Sequence, residues 1–261
     1  MARIYPLFSS SKGNAVFVGS PAGGILIDAG VSTKRLKAGM ERCGLSAEAV
    51  RGIFITHSHS DHVAGLRVFC RQYRVPVYVQ PRTLSELKRG GQITEETQTV
   101  RIGDSPVCIA DMQVIPFQTL HDTAQSCGYR INLADGRSCA VCTDLGSVTK
   151  TVEHALYGCD LVLLEANYDE TMLWNGSYPP TIKARIASEF GHLSNTASGA
   201  LAAGLLASGT VRLILGHLSE ANNTPALAES AVTQALKGAV RGRDYLLETA
   251  RPETDGRMIA F

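Results

Sequence analysis

Short apolar runs separated by clusters of Ser, Gly, Asn and Pro dominate the first half of the chain, and this pattern predicts strands rather than long helices. Residues 4–8, 15–18 and 25–28 read as three strands, with turn chemistry at residues 9–14 and 21–24. Ser32 or Thr33 can cap a helix reaching about Arg42, a buried strand follows at 53–56, and helical spacing runs from Asp61 through Val63, Leu66, Phe69 and Cys70. Further strands are expected at 77–80, 107–110, 113–118, 128–133 and 138–143, with a helix over 83–89. Beyond Asp144 the pattern turns to helix, strand and helix. Helices are expected at 149–157, 181–190, 196–207 and 225–237, and strands at 161–165, 211–215, 245–247 and 258–260. Two halves, each strand-rich first and helix-bearing later, predict an α/β fold of two packed sheets with helices outside, an αββα four-layer sandwich. With no linker, repeat or low-complexity tract, residues 1–261 read as one domain.

Composition narrows the class. A chain of 261 residues with 44% hydrophobic content can fill a sizeable core. No apolar stretch reaches the roughly 18 residues of a membrane span, and Met1 to Pro6 lacks the apolar segment of a signal peptide, so a soluble cytoplasmic protein without membrane partners is expected. Seven cysteines without framework spacing read as reduced core residues. Lys plus Arg total 25 against 24 for Asp plus Glu, too balanced for binding nucleic acid through a basic surface alone. A polyanion would have to be held locally, and a site with two divalent cations can do that.

The candidate chemistry begins directly after the apolar run Ile53, Phe54, Ile55, where Thr56, His57, Ser58, His59, Ser60, Asp61 and His62 follow in order. Three imidazoles and a carboxylate this close suit zinc, manganese or iron, and would be costly to bury unpaired. His121, Asp144, Glu165, His192 and His217 recur at the ends of predicted strands or beside them, which suggests one shared site at a sheet edge.

An Asp ending an early strand (Asp28), the His-x-His-x-Asp-His run (57 to 62), then a His, an Asp and a final His (His121, Asp144, His217) resemble the metallo-β-lactamase superfamily along essentially the whole chain. That resemblance implies two divalent metal ions. His57, His59 and His121 would bind one, Asp61, His62 and His217 the other, and Asp144 would bridge them. The sequence around Glu165 (Leu-Glu-Ala-Asn-Tyr-Asp), around His192 (Gly-His-Leu-Ser-Asn) and after Gly216 (His-Leu-Ser-Glu-Ala-Asn-Asn), with the serine-rich residues 9–14, is similar to the YycJ/WalJ branch. The branch implies 5′-to-3′ exonuclease activity on DNA and a setting in DNA repair. The Glu165 and His192 pair also resembles the tRNA-processing endonucleases, but the short span from Asp144 to His192 leaves no room for an arm domain or a β-CASP insertion.

The mechanism that follows uses two ions to generate hydroxide from a shared water near neutral pH and to stabilise charge on the attacked phosphate. Asp61, Glu165 and His192 are the expected catalytic residues, with His192, held beside the Glu165 carboxylate, as the acid for a departing 3′-oxygen. Asp28 is expected to orient a ligand imidazole, although a turn carboxylate before Gly30 is the competing reading. Ser9, Ser10, Ser11, Gly13 and Asn14 are expected to meet substrate phosphate, as are Ser194 and Asn195, either of which can cap a helix whose free backbone N–H groups favour an anion near His192. For the serine-rich loop, an ordinary hairpin turn is the simpler reading without the resemblance.

Other features have plainer readings. Cys139 and Cys142 have CxxC spacing but face opposite sides of a strand, so core packing is expected. His154 reads as a solvated helix residue. Trp174, Tyr168 and Tyr178 could stack on bases, and Arg71, Arg74, Arg82, Lys88 and Arg89 could follow a nucleic-acid backbone, with loop packing and a solvated charged face as the competing readings. Three functions remain open: a nuclease preferring DNA to RNA, a hydrolase of a cyclic phosphodiester, thioester or lactone on the same fold, and a non-catalytic metal-binding interaction protein.

Overall fold

The computed structural model describes residues 3–20 and 22–261. Two seven-stranded sheets form its centre. The first contains β1 (Arg3–Ser10), β2 (Gly13–Ser20), β3 (Gly23–Ile27), β4 (Val50–Phe54), β5 (Val77–Val79) and β6 (Thr99–Arg101) in that order, with β14 (Ile259–Ala260) on the outer side of β1. The second runs from β7 (Val107–Ile109) through β8 (Met112–Gln118), β9 (Cys127–Leu133), β10 (Ser138–Cys142), β11 (Leu161–Glu165) and β12 (Arg212–Gly216) to β13 (Leu246–Thr249). Each sheet is antiparallel at its start and parallel later: β3 to β6 run parallel in one, β10 to β13 in the other.

Alternation along the strands builds three apolar layers. Ile25, Ile27 and Phe54 pack between the sheets against Tyr129, Val141 and Leu163. Leu26, Ile53 and Ile55 face the other way, onto α1 (Thr33–Arg42), α3 (Leu66–Tyr73) and α4 (Pro81–Arg89). On the second sheet, Cys142, Leu164 and Leu215 meet α5 (Lys150–Leu156), α8 (Asn195–Ala207) and α9 (Pro225–Ala235). This is the expected αββα order. Cys139 lies between the sheets and Cys142 on the helix side, and all seven cysteines are free.

Several boundaries differ from expectation for local reasons. The helix expected from Asp61 to Cys70 is two helices, α2 (Ser60–Val63) and α3, because Gly65 interrupts it by donating to the Ala29 carbonyl at 2.8 Å. A Cβ on Gly65 would meet the Val31 carbonyl at 2.1 Å, so the break is also a close approach of two chains. The turn expected over residues 9–14 is only Ser11 and Lys12, since Ser9, Ser10, Gly13 and Asn14 belong to the paired strands. The turn at 21–24 includes Pro21, which lies outside the described residues. β6 carries no apolar run, and α6 (Glu170–Asn175) buries only Leu173, so neither had a periodic signal to find. The helix expected at 181–190 is α7 (Pro180–Ile186); it ends early where the His192 N–H turns back to the Ile186 carbonyl. No described helix is long and apolar enough to cross a membrane.

Candidate metal centre

The parallel strands of both sheets end at one edge, where open α/β sheets characteristically bind ligands. Asp28 follows β3, the segment from Thr56 to His62 follows β4, Asp144 follows β10, Glu165 ends β11 and His217 follows β12. Register aligns the second set: Cys142 pairs with Leu164, and Glu165 with Gly216. His121 arrives from the turn between β8 and β9. Asp28, Asp144 and His217 have φ values of 60°, 59° and 57°, half of the six non-glycine residues in the left-handed region among those described. Such backbone is held only where surrounding structure over-determines it. Here it bends the chain abruptly at the strand end and lets one edge gather side chains from several strands.

The ligand-type atoms fall into overlapping groups whose members lie within 4.8 Å of one another: His57, His59 and His121; Asp61, His62 and His217; His57, His62 and Asp144; and Asp144, Glu165, His192 and His217. Asp144 belongs to two of these groups. His59 Nδ1 stands 3.3 Å from His121 Nε2, while His121 Nδ1 donates to the Gly191 carbonyl at 2.9 Å. His57 Nε2, Asp144 Oδ2 and His217 Nε2 are buried with no hydrogen-bond partner. Buried polar atoms are rarely left without a partner. Three such orphans in one cluster of imidazole and carboxylate are what a divalent cation would satisfy, so the residues fit the expected metal.

Charge is distributed unevenly over the cluster. Burial holds the His57 imidazole well below its ordinary range, and burial also lowers His59, so both favour the neutral form that binds metal. Burial opposes charge on His62 too, but Asp144 and Asp28 outweigh it and raise that ring well above its usual value. His217 is lifted to about 10 against the same desolvation, by Asp144, Asp61 and Glu165. In turn His217 and His62 hold the Asp144 and Asp61 carboxyls low despite burial.

Around these groups lies a layer of orienting contacts. Asp28 accepts from the Thr56 N–H at 2.9 Å and the Thr56 hydroxyl at 2.7 Å, and its Oδ2 lies 2.7 Å from His62 Nδ1. Glu165 is fully buried and accepts from the N–H groups of Leu145 and Leu193 at 3.0 and 3.2 Å. Its Oε1 lies 2.8 Å from His192 Nδ1 and 2.9 Å from His217 Nδ1. Burial works against its charge, yet His192 and His217 hold the carboxyl down to about 2. His192, whose side chain is 19% exposed, stands at the mouth with its ring centre 5.0 Å from that of His121 and 5.3 Å from that of His217.

The residues expected to meet phosphate make contacts within the protein. The Ser9 hydroxyl accepts from the His217 N–H at 2.8 Å, the Ser10 hydroxyl accepts from Lys12 N–H at 3.2 Å, and only Ser11 and Lys12 of the hairpin are exposed. The Asn14 amide bonds to Ser10 and Asp61. Ser194 caps α8 as expected, accepting from the Ala197 N–H at 3.2 Å. The Asn195 side chain forms a reciprocal amide pair with Asn223 at 2.9 and 2.8 Å.

Sequence reasoning passed over Thr56, Asp122 and Asn167. Thr56 Oγ1 lies 3.0 Å from His57 Nδ1, Asp122 Oδ1 lies 3.4 Å from His121 Nε2 and 3.6 Å from His59 Nε2, and Asn167 donates to the His217 carbonyl at 2.8 Å. The Arg185 guanidinium donates to Asp122 at 2.5 Å. Adjacency to the ligands was a signal for Thr56 and Asp122, and Asn167 lies within the motif around Glu165.

Comparison with known proteins shows the family. A model of the beta-lactamase superfamily domain matches residues 24–218. Exodeoxyribonuclease YycJ of Bacillus anthracis is 34% identical over 251 residues, covering 95% of this chain and 94% of that protein. Exodeoxyribonuclease WalJ of Streptococcus pneumoniae is 30% identical over 253 residues, with 95% and 94% covered. The crystal structure of the metallo-β-lactamase fold protein YhfI from Bacillus subtilis superimposes with a TM-score of 0.77 at 13% identity over the full length of both chains, a likeness of fold. With the fold, the ligand-rich edge and full-length relatives in agreement, the chain belongs to the metallo-β-lactamase superfamily of metal-dependent hydrolases, in the branch that contains YycJ and WalJ.

Proposed function

We propose that the chain is a dinuclear-metal phosphodiesterase that degrades DNA from the 5′ end, with DNA repair as its cellular setting. The observation that carries the dinuclear reading is Asp144, which belongs both to a group with His57 and His62 and to one with His217. His57, His59 and His121 would hold one ion, Asp61, His62 and His217 the other, and Asp144 both. The donor set suits zinc or manganese, with iron as a further candidate. When bound, two such ions lower the pKa of water and offset charge on the attacked phosphate.

The chain's own residues supply the rest. Glu165 fixes the His192 ring through Nδ1 and leaves Nε2 to give a proton to the departing 3′-oxygen. His192 is suited to that task because its side chain is part exposed while Glu165 is wholly buried. A departing sugar oxygen needs such a proton, whereas the good leaving group of an activated ester or thioester does not, and this favours a nucleic-acid substrate. The names of the relatives, both exodeoxyribonucleases, support DNA as the substrate, and 5′-to-3′ polarity is part of the proposal that rests on the resemblance to that branch.

The test is an assay with 5′-phosphorylated single- and double-stranded DNA, RNA and a chromogenic phosphodiester, each with manganese, zinc or magnesium. Release of nucleotides from the 5′ end of DNA is expected. Activity on the chromogenic ester with none on polymers would favour a small-molecule hydrolase, preferential RNA cleavage an RNA-processing nuclease, and no cleavage by fully metallated protein a binding module.

A further inference from the structure

We infer that the hairpin of β1 and β2 positions one of the two metal subsites, with Asn14 fixing Asp61 and Ser9 fixing His217. The inference rests on the two-ion reading above and adds to it a division of labour within the fold.

Asn14 is buried, and its amide is oriented from both ends. Oδ1 accepts from the Ser10 N–H at 3.2 Å, and Nδ2 donates to the Ser10 carbonyl at 3.0 Å, which turns the remaining N–H toward Asp61 Oδ2 at 3.2 Å. The same Nδ2 stands 3.0 Å from His62 Nε2. Five residues earlier, the Ser9 hydroxyl accepts from the backbone N–H of His217, where φ is +57°. A histidine in that region needs an outside contact to hold it. Asp61, His62 and His217 form a single ligand group.

The hairpin is itself tied down. The Asn14 carbonyl accepts from the Gly30 N–H at 2.8 Å, and the Ala29 N–H donates to the His62 carbonyl at 2.8 Å, so hydrogen bonds link β2, the segment after β3 and α2. On the outer side Lys12 pairs with Glu220, three residues beyond His217. No hydrogen bond among the described residues joins residues 9–14 to His57, His59 or His121. Asn14 and Ser9 are therefore positioning residues for one ion and not for its neighbour, and weakening them should unload one subsite selectively.

The experiment is a zinc titration followed by calorimetry, with metal content of the desalted protein measured by mass spectrometry, on the wild-type chain, Asn14→Ala, Ser9→Ala and Ser9→Thr. The wild type should take up two equivalents. Asn14→Ala and Ser9→Ala should keep the first with unchanged affinity and bind the second about 10- to 100-fold more weakly, the range for loss of a contact that orients a metal ligand. Ser9→Thr, which keeps the hydroxyl acceptor, should restore it. Two equivalents at wild-type affinity in both alanine variants would overturn the inference, as would equal weakening of both equivalents. A wild type that binds one equivalent would instead overturn the two-ion reading and the inference with it. Should Asn14→Ala fail to fold, the Ser9 pair decides the question alone.

Discussion

The buried carboxylate of Glu165 lies 2.8 Å from Nδ1 of His192, and the same oxygen lies 2.9 Å from Nδ1 of His217. One charged group thus orients both a candidate proton donor and a candidate metal ligand. Removing the proton donor and removing a metal ligand should therefore have different consequences.

His192→Ala should reduce turnover on DNA by about 100-fold or more, the range for loss of a general acid, while metal content stays at the wild-type level. His59→Ala should lose metal, because His59 belongs to the same ligand group as His57 and His121, with its Nδ1 3.3 Å from His121 Nε2. Turnover and metal content measured on the same preparations check both. Equal metal loss in the two variants would sink the division of roles.

Asp28→Asn should weaken metal binding about 10- to 100-fold without unfolding the chain. The carboxylate meets the Thr56 N–H, the Thr56 hydroxyl and His62 Nδ1 together, and an amide oxygen can serve them only in part. Competition with a chromophoric chelator measures the affinity; an unchanged value would mean that Asp28 only closes a turn.

Gly30→Ala should be among the most disruptive single changes in the chain. A Cβ there would meet the Asp61 carbonyl at 1.6 Å and the Asn14 backbone nitrogen at 2.6 Å, so α2 would have to leave the hairpin. The expected loss exceeds about 2 kcal/mol of stability together with metal. Thermal unfolding with and without chelator reads both, and a Tm near the wild type's would contradict the packing.

Trp174, Tyr178 and Phe190 are 53%, 37% and 45% exposed on the segment that separates Glu165 from His192, and α7 within that segment buries no residue. Exposed aromatic rings can stack on the bases of a single strand. Trp174→Ala and Phe190→Ala should each weaken binding of single-stranded DNA by about tenfold, in line with the stacking energy of one base, while hydrolysis of a small chromogenic phosphodiester is unchanged. Fluorescence anisotropy with labelled oligonucleotides provides the measurement, and unaltered binding in both variants would return these rings to ordinary surface.

The local sequence determined the layers and the first part of the site. Alternation at Ile25 to Ile27 and Ile53 to Ile55 sorts side chains between the inter-sheet layer and the helix-facing layer whatever the neighbours are. The His57 to His62 run keeps its potential ligands together because they adjoin in the chain. The tertiary structure alone decided how the distant groups are shared. Glu165 serves His217 as well as His192 because β11 and β12 end in register, and Ser9 reaches His217 across 208 positions because β1 returns to the same edge. It also redirected Asn14 toward Asp61 and Asn195 toward Asn223, since an amide takes the partners that packing leaves nearest, and no local pattern records which those will be.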